Sequence, residues 1–228
     1  MKDLIAQGIA ILCKNDNDIN RIIDSRRDII ISLLERYINE IETFNPAYGL
    51  VGTTDTNELI IKHILDSLAP LGIITRLLNQ CDTLPRLQLA DAGSGAGLPG
   101  IPLAIALSNC DFTLIERMGR RAGFLLNTKA VLALTNINIE ENELEKTRDS
   151  RFKLITFRAF KPLEPKLLKA LFRVCEPDGI IAAYKGKREK IEEEIAPLEK
   201  HCGKWEALPC PVPFLDEERH LLVIKPKT

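Results

Sequence analysis

The chain has 228 residues, 45% of them hydrophobic and 28% charged, which excludes a disordered chain, a collagen-like repeat and a coiled coil and leaves a folded domain with a sizeable core. Lys plus Arg number 31 and Asp plus Glu 32, so the net charge of -1 argues neither for nor against a polyanionic partner until the charges are mapped along the chain. The cysteines at 13, 81, 110, 175, 202 and 210 form no Cys-x-x-Cys pair and no zinc-like spacing with the histidines, so they read as reduced thiols of a cytoplasmic protein, with no metal expected.

At the N-terminus Asp3 occupies the would-be basic region of a signal peptide and no small-residue cleavage site follows; Leu4, Ile5, Ile9 and Leu12 instead share one face of a helix. Ile19, Ile22 and Ile23, then Ile29, Ile30, Leu33, Leu34, Tyr37, Ile38 and Ile41, continue the helical spacing. Asn45-Pro46 is expected to break that helix, with a loop through Gly49 and Gly52. Asp55 or Thr56 can cap the next helix, in which Leu59, Ile60, Ile64, Leu65 and Leu68 share a face and whose end Pro70 and Gly72 weaken. Residues 1–80 therefore read as a helical extension of the sheet-containing domain at residues 81–228, the two forming one compact unit.

After Pro85 strands and helices alternate: strand 87–91, helix 101–107, strand 112–115, helix 120–134, strands 137–139 and 153–157, helix 165–175 and strand 179–184. Such alternation implies a Rossmann-like α/β fold with a parallel, doubly wound sheet, which binds ligands at the carboxyl ends of its strands. The segments 205–208 and 219–225 have no room between them for a crossover helix and read as an antiparallel hairpin at the sheet edge. The longest uncharged run, residues 93–110, contains four glycines and two prolines and is a motif, not a membrane span.

That motif, Asp91-Ala-Gly93-Ser-Gly95-Ala-Gly97-Leu-Pro-Gly100, lies between a predicted strand and a predicted helix, where glycines let the backbone turn tightly and approach a ligand. Gly95-x-Gly97-x-x-Gly100 satisfies the dinucleotide fingerprint, and Glu116, at the end of the second strand, stands where an acid would hold ribose hydroxyls, so a nicotinamide enzyme is one reading. The other is S-adenosylmethionine: Asp91 suits a ligand bearing an ammonium group, and the spacing Gly93, Gly95, Gly97 lets the loop pass under a nucleoside.

The string from Asp91 to Ile105 resembles the signature of the GidB/RsmG family of 16S rRNA guanine-N7 methyltransferases. Lys62-His-Ile-Leu-Asp-Ser-Leu68, Gly119-Arg-Arg121, Arg158-Ala-Phe160, Lys185-Gly186 and Glu218-Arg-His-Leu-Leu-Val-Ile-Lys225 stand in the family's order. The resemblance implies a class I methyltransferase sheet, S-adenosylmethionine as cofactor, and 7-methylguanine in the 530 loop of 16S rRNA as product. It also implies that Gly93 and Leu98 touch the cofactor, that Leu144 and Glu145 lie beside its adenine, and that Arg158 sits at the methyl-transfer pocket. The target would be met in the small ribosomal subunit or an assembly intermediate, by a monomer and away from membranes. Two departures stand out: Tyr48-Gly-Leu-Val-Gly52 replaces the family's Asn-Leu-Thr loop, and Phe157 precedes Arg158 where serine is common.

Charge supports an RNA partner independently, since residues 146–190 carry 13 basic and 5 acidic side chains. Arg120, Arg121, Arg158, Lys161 and Lys185 are the candidate RNA contacts. Phe157 and Phe160 could stack on a base or fill the core. His63 and Asp66 could meet on one helical face, as a general base or as a structural hydrogen bond. Guanine N7 has a free lone pair, so no base is required. Other acceptors of the methyl group, RNA or small-molecule, remain the alternative, alongside a nicotinamide oxidoreductase and a non-catalytic RNA-binding factor.

Overall fold

The computed structural model describes residues 1–79, 86–149, 151–159 and 163–227, so Cys81, Pro85, Phe160 and the candidate RNA contact Lys161 lie outside the described residues. The chain begins with α1 (Lys2–Asn15), α2 (Asn17–Ile23), a 3₁₀ turn (Asp24–Arg26) and the long α3 (Arg27–Tyr48). The Asp16 carboxylate caps α2 by accepting from the amides of Asp18 and Ile19.

The expected break at Asn45-Pro46 does not occur. Pro46 lies within the last turn of α3, which ends at Gly49 in the left-handed region. A proline there forfeits one helical hydrogen bond, and Asn45 offsets the loss: its side-chain oxygen accepts from the Val51 amide and its NH₂ group donates to the Thr53 carbonyl. Asp55 caps the next helix through the Glu58 amide at 2.7 Å. That helix runs as α4 (Thr56–Leu59), a π-helical stretch (Ile60–Leu65) and α5 (Asp66–Leu68), with α6 (Leu71–Asn79) after a short turn.

The remainder is α/β: β1 (Gln88–Ala92), α7 (Gly100–Ala106), β2 (Asp111–Ile115), α8 (Gly119–Leu132), β3 (Ile137–Glu140), β4 (Phe152–Arg158), α9 (Pro165–Val174), β5 (Cys175–Lys185), α10 (Arg188–Ile195), β6 (Trp205–Pro209) and β7 (His220–Ile224). The seven strands form one sheet in the order β3-β2-β1-β4-β5-β7-β6. β1 to β5 pair in parallel, and β7 inserts antiparallel between β5 and the edge strand β6, which makes the expected C-terminal hairpin. The predicted class I methyltransferase architecture is the observed one.

Alternation along the strands sorts the core into two layers. Leu89, Phe112, Leu114, Leu154, Ala182 and Val223 join an apolar cluster with α1 to α8, whereas Ala90, Ala92, Ile115, Ile155, Ala183 and Ile224 join a second with α9 and α10. The N-terminal helices are thus continuous with one face of the sheet. Phe157, of which either stacking or packing was expected, is buried in the second cluster.

One polar contact ties the helical segment to the glycine loop: the Tyr37 hydroxyl on α3, fully buried, donates to the Ala96 carbonyl at 2.7 Å. Tyr37→Phe leaves that carbonyl unpaired and is expected to cost about 1–2 kcal/mol, lowering Tm by roughly 3–6 °C in a calorimetric scan.

Candidate active site

The loop between β1 and α7 owes its shape to residues that a side chain would spoil. Gly97 has φ +90°, and a Cβ there would run into Ile101 and Leu125. At Gly95, with φ +56°, a Cβ would meet nothing closer than 3.9 Å, so this part of the loop faces open space. The loop is held from below. The amides of Gly93 and Ser94 donate to the Ile115 carbonyl, and the Ser94 hydroxyl donates to the Asp91 carbonyl.

Two carboxylates anchor it. Glu116, at the end of β2 and 4% exposed, accepts from the Gly95 amide at 2.9 Å and from the Met118 amide at 2.8 Å, joining the loop to the start of α8. Each carboxylate oxygen retains a second lone pair for a hydroxyl donor. Asp91 is completely buried beneath the loop; it accepts from the Gly100 amide at 3.1 Å and faces the Thr156 hydroxyl at 3.4 Å. Its direct contacts are therefore with the protein. Burial pushes its carboxyl up to about 6, against the pull of those hydrogen bonds and of Arg158.

An acid that binds its proton more tightly when folded makes stability fall as pH rises from its unfolded pKa of about 4 to its folded pKa of about 6. The cofactor-free protein is therefore expected to lose stability across pH 4 to 6, by on the order of 3 kcal/mol, relative to an Asp91→Asn variant. Urea unfolding of the two proteins at each pH checks this.

Above the loop lies a cleft of about 580 Å³ lined by Gly93, Glu116, Arg121, Leu144, Glu145 and Lys166 among others. Four predicted cofactor residues, Gly93, Glu116, Leu144 and Glu145, thus share one cavity. Leu98 does not join them: its side chain is 5% exposed and packs in the apolar core below the loop. Leu144 is likewise almost wholly buried, and its carbonyl accepts from Arg173 at 2.9 Å, which holds the 3₁₀ turn Leu144–Lys146 against α9.

A second cleft, about 430 Å³, is lined by Lys62, His63, Asp66, Arg158, Lys185 and Arg219 among others, and Ala159 lines both. Ala159 has φ +48°, a turn that lets β4 end at the seam between the two cavities. Arg158 therefore belongs to the second cleft rather than the first. Its guanidinium donates to Asp66 at 2.8 Å and to the Lys62 carbonyl at 3.3 Å, and lies 3.1 Å from His63 Nδ1. Asp66, 5% exposed, also pairs with Arg219 at 3.2 Å. Because a guanidinium only donates, His63 Nδ1 must accept, which leaves its proton on Nε2. Burial, aided by Arg158, pushes the His63 pKa down to about 4, so the ring is neutral at ordinary pH. His63 and Asp66 thus both turn to Arg158 rather than forming a pair of their own.

The other predicted RNA contacts are distributed around these cavities. Arg121 lines the first cleft and donates to the Gly49 carbonyl; Arg120 lies over the Tyr48 ring. Lys185 lines the second cleft but is paired with Glu194 at 2.7 Å. The basic stretch is in fact largely neutralised, since Arg151 meets Glu140, Arg173 meets Asp149 and Arg188 meets Glu192. Sequence reading missed Arg219 and His220, although both stand in the C-terminal motif; the signal was there, but only the insertion of β7 beside β5 brings them to the cleft. The five described cysteines are buried thiols, and no cluster of metal-ligating side chains occurs among the described residues. No helix among the described residues is long and apolar enough to cross a membrane.

This strand order, with a glycine loop floored by an acid at the end of β1 and gripped by another at the end of β2, defines a class I methyltransferase fold. A solved structure of a putative S-adenosyl-L-methionine-dependent methyltransferase from Methanococcus maripaludis shares it, with a TM-score of 0.56 at 15% identity over 84% of this chain and 92% of that one. The family model described as rRNA small subunit methyltransferase G matches residues 30–222. Proteins named ribosomal RNA small subunit methyltransferase G are 37% identical in Treponema denticola, covering 98% of this chain and 96% of the relative, and 38% identical in Treponema pallidum, covering 97% and 92%. The chain belongs to the rRNA small subunit methyltransferase G family.

Proposed function

We propose that the chain transfers a methyl group from S-adenosylmethionine to N7 of a guanine in the 530 loop of 16S rRNA, in the cytoplasm and on the small ribosomal subunit or an assembly intermediate. The observation that carries this reading is the pair of clefts that meet at Ala159, one over the glycine loop and one lined by cationic side chains. Family membership supports the acceptor.

The residues of the first cleft fit the cofactor. Its volume lies in the range of ligand sites, the space over Gly95 is open, and Glu116 has lone pairs left for ribose hydroxyls. Gly93, Leu144 and Glu145 would border the adenosine; Gly95 and Gly97 shape the floor, and Asp91 and Leu98 support it from below. Bound there, S-adenosylmethionine supplies an electrophilic methyl group on a sulfonium. The protein's own work is alignment, because guanine N7 attacks with its lone pair and loses no proton. Arg158, locked between Asp66 and His63, would hold the base at the seam, and Arg120, Arg121 and Lys185 would meet the RNA backbone around it, with Lys161 a further candidate from the sequence alone.

The test is transfer of labelled methyl from S-adenosylmethionine to small subunits that lack the modification, followed by digestion and identification of the labelled base. Label in 7-methylguanine of the 530 loop is expected. Label in another base or another RNA would refute the target, and cofactor binding without any transfer to RNA would point to a small-molecule acceptor.

A further inference from the structure

The loop 210–219, which joins β6 to β7, stands at the carboxyl edge of the sheet, because His220 pairs with Lys185 at the end of β5 and with Pro209 at the end of β6. Its two ends line the second cleft through Cys210, Arg219 and His220. The loop is firmly seated. Cys210 and Val212 are buried in the apolar cluster shared with the N-terminal helices, and Leu215 packs against it. The Leu215 amide donates to the Val212 carbonyl at 3.2 Å, and the far end is tied to the helix over the cleft by Arg219 on Asp66 and by Glu217 on Lys62 at 4.0 Å.

Between these anchors, Phe214 points outward, 47% exposed, with φ +66°. Of the non-glycine residues with positive φ among the described residues, the other two are alanines, so Phe214 is the bulky one. A phenyl ring in the left-handed region is strained, and with about half of the residue left exposed its burial offsets the strain only in part. Glycine or asparagine would make the same turn at lower cost. Strain kept on an exposed aromatic, on a loop whose two ends line a cavity, signifies a partner that the ring meets.

We propose that Phe214 is a substrate-positioning residue, stacking on an unpaired base of the RNA next to the guanine held in the second cleft. This rests on the function proposed above. Any base presents a π-face, and unpaired loop bases are bound in this way by aromatic side chains on rigid supports. The rigid seat of the loop supplies the preorganisation. Lys62, Lys185 and Arg219 around the cleft are each paired with a carboxylate, yet each keeps N–H donors beyond that pair, and so many polar donors favour a polar nucleic acid over an apolar protein surface as the partner.

Phe214→Asn and Phe214→Trp, compared with the native protein, test this. Asparagine relieves the strain and is expected to raise Tm by about 2–4 °C. It should also raise KM for small subunits, and weaken binding of protein-free 16S rRNA, by roughly 5- to 100-fold. The Kd for S-adenosylmethionine and kcat at saturation should stay within about twofold, and tryptophan should keep KM near the native value. An unchanged KM in the asparagine variant overturns the proposal, as does a tryptophan variant as impaired as the asparagine one. A rise in KM for the subunit with unchanged binding of protein-free RNA also overturns it, assigning Phe214 to a ribosomal protein. If the native protein methylates no 16S rRNA, the proposed function itself has failed, and that is read from the native protein alone.

Discussion

Gly95→Asp is expected to weaken S-adenosylmethionine binding about a thousandfold, on the order of 4 kcal/mol, while leaving the fold almost unchanged. The fold is spared because aspartate tolerates φ +56° better than most residues, and its Cβ would approach nothing closer than Arg121 Nη1 and the Gly93 carbonyl at 3.9 Å. The ligand is not spared. The new carboxylate would occupy the open space over the loop, on the very residue whose amide the Glu116 carboxylate accepts from. It could also draw Arg121 across the cleft. Titration calorimetry gives the Kd and a thermal melt gives the fold. An unchanged Kd would remove the glycine loop from the ligand site.

Arg158→Ala should lower kcat/KM for methyl transfer by about a thousandfold, with the Kd for S-adenosylmethionine within a few-fold of native. The separation follows from geometry, since Arg158 lines the second cleft and not the first. Stability should fall by only about 2 kcal/mol, because Asp66 keeps Arg219 as a partner at 3.2 Å and is not left as an uncompensated buried charge. Arg158→Lys is expected to rescue little, as an ammonium cannot reach Asp66, the Lys62 carbonyl and His63 Nδ1 together. The alanine variant, which removes the charge, should also let the His63 pKa rise from about 4 as far as burial allows, because Arg158 adds to burial in holding it down. Steady-state kinetics at saturating cofactor, read beside a melt, checks the prediction. Loss of turnover in proportion to loss of folded protein would make Arg158 structural.

Most of the element pattern could be read from local sequence. The strand-loop-helix at 88–106 shows because buried parallel strands are continuous apolar runs and the turn after them requires glycines. The hairpin β6-β7 shows because its linker is too short for a crossover helix. The misread boundary at Asn45-Pro46 has a physical reason: a side chain closing hydrogen bonds onto residues 51 and 53 compensates the proline, and such pairing is invisible to a propensity rule. The basic stretch at 146–190 misled in a similar way. Its charges lie near acids contributed by other segments, Asp66 and Glu140 before it and Glu192 and Glu194 after it, so local net charge overstated the positive surface.

The chemistry of the site divides along the same line. By itself the sequence determined the fold class, the family resemblance and the loop that shapes the first cleft, because these depend on residues close together in the chain and on backbone conformations only glycine readily adopts. Tertiary structure alone decided that Asp91 is buried under the loop, that Arg158 serves the second cleft, and that Asp66 is shared by two arginines. It also brought His63, Arg219 and the strained Phe214 loop to that cleft. Those placements depend on β7 entering between β5 and β6 and on a helix from the N-terminal segment folding over β4, contacts between residues about 90 to 150 positions apart that no local rule can specify.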